Sequence, residues 1–178
     1  MENGLLDHDH SEMDQLLAAF FAALETRDIE QSFKTLDLFW ARLALHIRAE
    51  HLHLFPTLIH ASEPPRQASS NGRAPTTETV QSTTAQLRGD HDFFMNELAA
   101  VMKQLRELRG QPSHDKAALQ KIRERVDAIQ QRLQSHNALE ESQVYGWTDS
   151  LLKPEECVTL NERMQKELLR LPPRFSQA

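Results

Sequence analysis

The sequence predicts an all-α fold, an antiparallel four-helix bundle with a short C-terminal fifth helix. Three observations lead there. Leu, Ala, Gln, Glu and Arg dominate, while Gly numbers 5 and aromatics make up 6% of the 178 residues. Apolar residues recur at helical spacing through four long stretches, and one pattern of residues occurs twice. Straight-chain residues lose little rotamer freedom in a helix, and amphipathic helices bury their stripes most simply against one another. The length suits one domain, residues 1–178, with a full core.

The first helix is expected from about Leu5 to Arg27, with Leu6, Met13, Leu17, Phe20, Phe21 and Leu24 on its apolar side. Asp28 suits the N-cap of the second, which runs to about His60 along Phe33, Leu36, Trp40, Leu43, Ile47 and Leu54. Pro56 is expected to kink or end it, because its ring removes a backbone donor. Pro64, Pro65, Gly72 and Pro75, among many Ser and Thr, mark 62–84 as a flexible connection between helices. A third helix follows from about Thr84 to Arg109, stopped by Gly110 and Pro112. Ser113 is the expected cap of the fourth, which reaches about Thr148, and Pro154 suits the first turn of the fifth, within 154–171.

The net charge of -6 is spread along the chain, which disfavours nucleic acid as a partner. Cys157 is the only cysteine, so no internal disulfide and no cysteine-based zinc site can form. No apolar run approaches the roughly 18 residues of a membrane span, and Met1–Gly4 lacks the character of a secretory signal. A soluble cytoplasmic protein is expected. Nine histidines direct attention to their placement.

Leu6-x3-His10-x2-Met13-x3-Leu17 matches Leu87-x3-His91-x2-Phe94-x3-Leu98, and Leu43-x2-His46-x3-Glu50-x4-Phe55 matches Leu133-x2-His136-x3-Glu140-x4-Tyr145. Asp9 and Asp90 precede the two leading histidines. Spacing supplies no role for these aspartates, which on a helix point about 100° away from their neighbours.

The core line of the fourth helix is Leu119, Ile122, Val126, Ile129, Leu133, His136 and Glu140, in alternating steps of three and four. His136 and Glu140 thus stand where Leu or Ile belongs. His91 interrupts the third helix and His10 the first in the same way, and His46 and Glu50 share the buried side of the second. Leaving a buried polar group unpaired costs about 1–3 kcal/mol, so six would cost on the order of 6–18 kcal/mol, comparable to a domain's whole stability. The six must satisfy one another or share something, and imidazoles with carboxylates suit iron. Taken singly, each has an ordinary reading. A core histidine is more often hydrogen-bonded than metal-bound, and His46–Glu50 alone is a common helix-surface pair.

The order His, His-x3-Glu, His, His-x3-Glu over about residues 5–149 resembles the hemerythrin-like HHE cation-binding domain family, in its bacterial form. The resemblance implies a four-helix bundle around two iron ions, bridged by carboxylates and an oxo or hydroxo group. His10, His46, Glu50, His91, His136 and Glu140 would be the ligands, with Glu50 and Glu140 bridging. Oxygen-carrying members have a second histidine where Met95 stands. They also have an aspartate five residues after the fourth-helix histidine, where this chain has Glu141, a substitute ligand for Glu140. Fewer protein ligands leave a place for water or a small ligand. Reversible oxygen carriage becomes doubtful.

His8 reads as solvent-facing, His51 and His53 as supports of the ligands, and His60 and His114 as surface residues. Trp40, Trp147, Phe39, Phe55 and Tyr145 read as packing, and Cys157 as an ordinary thiol. The expected function is a non-haem diiron protein that binds or senses oxygen, nitric oxide or peroxide, or serves iron and redox homeostasis. The alternatives are an oxidant-detoxifying diiron enzyme and a metal-free helical interaction module. No acid–base residue is placed for a defined substrate, which weighs against an enzyme. The family's cluster-repair proteins carry a cysteine-bearing N-terminal segment that this sequence does not show, so that role is not expected. The long connection would let helix pairs exchange between chains, giving a homo-oligomer, and no membrane partner is expected.

Overall fold

The computed structural model describes residues 4–64, 74–109 and 115–175. Among them there is no strand. The α-helices are α1 Gly4–Glu25, α2 Ile29–Ala49, α3 Phe55–Ser62, α4 Thr77–Leu108, α5 Lys116–Leu139, α6 Tyr145–Leu151 and α7 Pro154–Leu168. Two π-helical turns, π1 at Glu50–Leu54 and π2 at Glu140–Val144, join α2 to α3 and α5 to α6. The residues at every junction keep right-handed helical dihedrals, so each trio is one rod. The rods containing α1 and α4 each lie against those containing α2 and α5, which closes a four-rod bundle, and α7 lies along α2. No helix among the described residues is long and apolar enough to cross a membrane.

Local chemistry explains most boundaries. Asp28 caps α2, its side chain accepting from Gln31 N at 2.9 Å. The reversal before it closes with Asp28 N donating to Ala23 O, and Arg27 takes a left-handed φ of 58° at the end of α1. Pro56 does not end the second rod, which runs on to Ser62. The π turn precedes it, so Pro56 falls in the first turn of α3, where a missing N–H is tolerated. The matching position of the other rod is Gly146, after an equivalent π turn, so proline is not the cause of the widening.

Helix α4 begins at Thr77 rather than near Thr84. Thr76 caps it by accepting from Thr79 N, and Thr77 Oγ1 donates to Ser62 O. Val80 and Thr84 are buried against the end of the bundle, and that burial overrides the weak helix propensity of the Ser/Thr-rich stretch. Of the expected connection, residues 65–73 lie outside the described residues, as do Gly110, Pro112, Ser113 and His114. The cap of α5 is Asp115, which accepts from Ala117 N at 2.9 Å, in place of Ser113.

The core divides into two apolar clusters. One holds Met13, Leu17 and Phe20 with Leu36, Leu43, Leu98, Leu105, Val126 and Leu133. The other holds Leu6, Leu54, Phe55, Leu87, Val144 and Tyr145, together with Leu160 and Met164 of α7. Phe39 is fully buried, and Trp40 and Trp147 pack partly exposed against the clusters. Along every rod, the residues lying between the two clusters are the histidines and glutamates singled out above.

Candidate metal centre

All six converge. His10 from α1, His46 from α2, Glu50 from π1, His91 from α4, His136 from α5 and Glu140 from π2 are each 3% exposed or less. They form two ends. At one, His10 Nε2 and His46 Nε2 lie 3.4 Å apart; at the other, His91 Nε2 and His136 Nε2 lie 3.1 Å apart. Each glutamate reaches both. Glu50 turns Oε1 to His46 at 3.5 Å and Oε2 to His91 at 3.2 Å. Glu140 turns Oε1 to His136 at 3.1 Å and Oε2 to His10 at 3.6 Å. Donor atoms of Glu50, His91, His136 and Glu140 lie within 4.8 Å of one another, as do those of His10, His46 and Glu140.

The π turns set this up. In each, the residue five along donates its N–H to the glutamate carbonyl, Phe55 to Glu50 and Tyr145 to Glu140. The wider turn brings a glutamate and an aromatic five residues later onto one face, which a regular α-helix would turn well apart. The x4 spacing in both repeats is the sequence signal for this.

Behind every imidazole stands an acceptor. His46 Nδ1 lies 2.8 Å from Asp9 Oδ2, His136 Nδ1 3.3 Å from Asp90 Oδ2, His10 Nδ1 2.9 Å from Glu141 Oε1, and His91 Nδ1 2.9 Å from His51 Nε2. Donating Nδ1–H outward leaves each Nε2 lone pair aimed at the interior, the arrangement metal-bound histidines adopt. The aspartates are anchored in turn. Arg132 Nε donates to Asp90 Oδ1 at 2.7 Å, and Arg42 lies 3.6 Å from Asp9 Oδ1 while also pairing with Glu12.

Asp9, Asp90, Arg42 and Arg132 are what sequence reasoning missed. Asp9 and Asp90, which spacing left without a role, each serve a histidine of the neighbouring helix. Arg42-x3-His46 and Arg132-x3-His136 repeat as faithfully as the inner residues, so the signal was present in the duplication. Glu141 lies behind His10, half exposed, rather than among the inward donors. Of the two expected supports, His51 backs His91, whereas His53 turns to Glu167 at 3.6 Å. Tyr145 does more than pack, since its hydroxyl donates to Glu140 Oε2 at 3.1 Å. Met95 packs against the first apolar cluster, and His8 and His60 face solvent.

The donor set calls for a cation. Both Glu50 carboxylate oxygens and Glu140 Oε1 are buried and accept no hydrogen bond among the described residues. A neutral imidazole whose Nδ1–H is spent outward has only a lone pair to show them. Two buried carboxylates facing four lone pairs are costly unless positive charge lies between them. Protons can serve. Burial opposes charge on His46, but Glu50, Asp9 and Glu140 outweigh it and hold the imidazolium well above its ordinary range. His136 is raised by Glu140, Glu50 and Asp90 against the same opposition. Burial would lift Glu140, yet His10, His136 and His46 hold it well below the carboxylate range. A metal ion supplies the same charge and takes the lone pairs as well.

No curated protein and no solved structure matches this chain. A family model does, over residues 2–148, and the matched region contains all six inward residues. The chain belongs to the hemerythrin HHE cation-binding domain family.

Proposed function

We propose that the protein holds two iron ions, one per histidine pair, and that it binds or senses a small ligand such as oxygen, nitric oxide or peroxide. The observation carrying this reading is that each of two buried carboxylates turns one oxygen to each histidine pair. A single ion would need only one such pair. Mixed imidazole and carboxylate donors suit iron, and bundle interiors host carboxylate-bridged pairs.

Iron held here would supply Lewis acidity and one-electron redox capacity to a ligand small enough to enter. The chain does the rest. Asp9, Asp90, Glu141 and His51 fix the imidazoles, Arg42 and Arg132 fix the aspartates, and the apolar clusters exclude bulk water above and below. Four imidazoles and two carboxylates do not fill two octahedral spheres, which keeps a place open.

Metal analysis of the isolated chain beside His46→Ala and His136→Ala tests the proposal. About two irons per chain are expected, with both variants depleted, as for a carboxylate-bridged pair. Retention of full iron by either variant would sink it.

A further inference from the structure

The duplicated pattern breaks at one place outside the six donors. Glu12 stands two residues after His10 and Phe93 two residues after His91, so the repeat pairs them. Each holds the arginine of its own half, by different means. Glu12 pairs with Arg42 through Nη1, the same atom that lies 3.6 Å from Asp9 Oδ1. Phe93 has the Arg132 guanidinium 4.4 Å over its ring centre, a contact that takes no hydrogen bond from the arginine. Arg132 therefore brings both Nε and Nη2 to Asp90 Oδ1, each at 2.7 Å. The histidines register the difference. His46 Nδ1 lies 2.8 Å from the loosely held Asp9, and His136 Nδ1 lies 3.3 Å from the tightly held Asp90. A carboxylate already neutralised by an arginine fork accepts more weakly through its other oxygen.

We infer that Glu12 and Phe93 are positioning residues that make the two ends unequal, so that the His10–His46 end favours ferric iron and the His91–His136 end ferrous iron. This rests on the metal-binding reading above. Glu12 draws Arg42 away from Asp9, Asp9 then pulls harder on the His46 proton, and the imidazole becomes the stronger donor. Phe93 does the reverse, steadying Arg132 on Asp90 and leaving His136 the weaker donor. The groups behind the other two histidines act in the same sense, a Glu141 carboxylate behind His10 and a His51 imidazole behind His91. At the first end Asp9, Glu12 and Glu141 share one arginine; at the second, Asp90 has Arg132 to itself. Extra negative charge in a dry interior stabilises the more highly charged cation. One electron given by a one-electron reductant to a ferric pair therefore settles at the His91–His136 end, with no bond made or broken.

Stepwise reduction of the oxidised, iron-saturated chain by dithionite tests this, read as two one-electron potentials. The unchanged chain is expected to show two separate steps, the upper one belonging to the His91–His136 end. Glu12→Gln frees Arg42 to close on Asp9 and is expected to raise the lower step, with the upper one in place. Phe93→Leu loosens Arg132 from Asp90 and is expected to lower the upper step, with the lower one in place. Each shift is expected at about tenfold or less in the preference for ferric over ferrous iron, which is about 59 mV or less for one electron. Both variants are expected to hold as much iron as the unchanged chain. In an Asp9→Asn background Glu12→Gln is expected to shift nothing further, because the path through Asp9 is already cut. A shift that persists there would make Glu12 a plain field charge and overturn its positioning role. A single two-electron step in the unchanged chain, unmoved steps in the variants, or shifts on the wrong steps would overturn the ranking of the ends. Loss of iron from Glu12→Gln or Phe93→Leu would assign these residues to stability alone, again against it. Each of those outcomes leaves the metal reading standing. Failure of the unchanged chain to hold two irons would remove both readings together.

Discussion

The first pair of rods and the second show how far a duplicated pattern carries and where it stops. Asp9, Arg42, His46, Glu50 and π1 have counterparts in Asp90, Arg132, His136, Glu140 and π2, with the same contacts. The residue after each glutamate even serves the same purpose, His51 backing His91 and Glu141 backing His10 across the bundle. There the chemistry diverges, an imidazole against a carboxylate, and four residues further on it diverges again, Phe55 against Tyr145. What is shared builds two facing sets of inward imidazole and carboxylate donors. What differs makes its ends unequal.

The largest effect comes from breaking what both halves share. Glu50→Ala and Glu140→Ala each remove a donor from both ends, so iron analysis after purification is expected to find neither variant loaded. His10→Ala and His91→Ala strike one end each and are expected to keep about one iron per chain. Equal losses in all four would erase the division into ends.

Next are the aspartates. Asp9→Asn and Asp90→Asn keep the shape but weaken the acceptor behind one histidine each, and each is expected to lower iron affinity about 10–100-fold in chelator competition. No change in either variant would leave these carboxylates as bystanders.

A smaller effect sharpens the comparison. Glu141→His gives the His10–His46 end the same backing imidazole as its counterpart. Because Glu141 is half exposed, the loss of affinity is expected at about tenfold or less. Two iron signals that differ in the Mössbauer spectrum of the unchanged chain should draw closer in this variant. Unaltered spectra would show that the outer groups do not distinguish the irons.

The smallest effect concerns α7, which lies mainly against the first half. Glu167 takes Arg48 Nε at 2.9 Å and approaches His53, two residues flanking Glu50 on the same rod. Burial would raise the Glu167 carboxyl, but Arg48 and Arg170 outweigh it and hold it below the ordinary value of 4.5. A lowered carboxyl stabilises the fold above that ordinary value, and the stabilisation is lost as pH falls through the lowered one. Glu167→Gln is therefore expected to melt about 2–4 °C lower near neutral pH, with the gap closing in acid. A gap independent of pH would assign the effect to shape rather than charge.

Much of this was determined by the sequence by itself. Alternating steps of three and four define a buried face on each helix, and a polar residue on that face is inward wherever the helix packs. Six inward donors and four rods follow from that rule alone. The Ser/Thr-rich start of α4 was illegible because tertiary burial of Val80 and Thr84 decided it against local propensity. Only the folded bundle decided that Asp9 serves His46 rather than its neighbour His10, that Glu141 crosses to His10, and which oxygen of each glutamate faces which end. Spacing within a helix says which way a side chain points. What it meets there depends on the rotation and register of a different helix, and those emerge only when all four pack together.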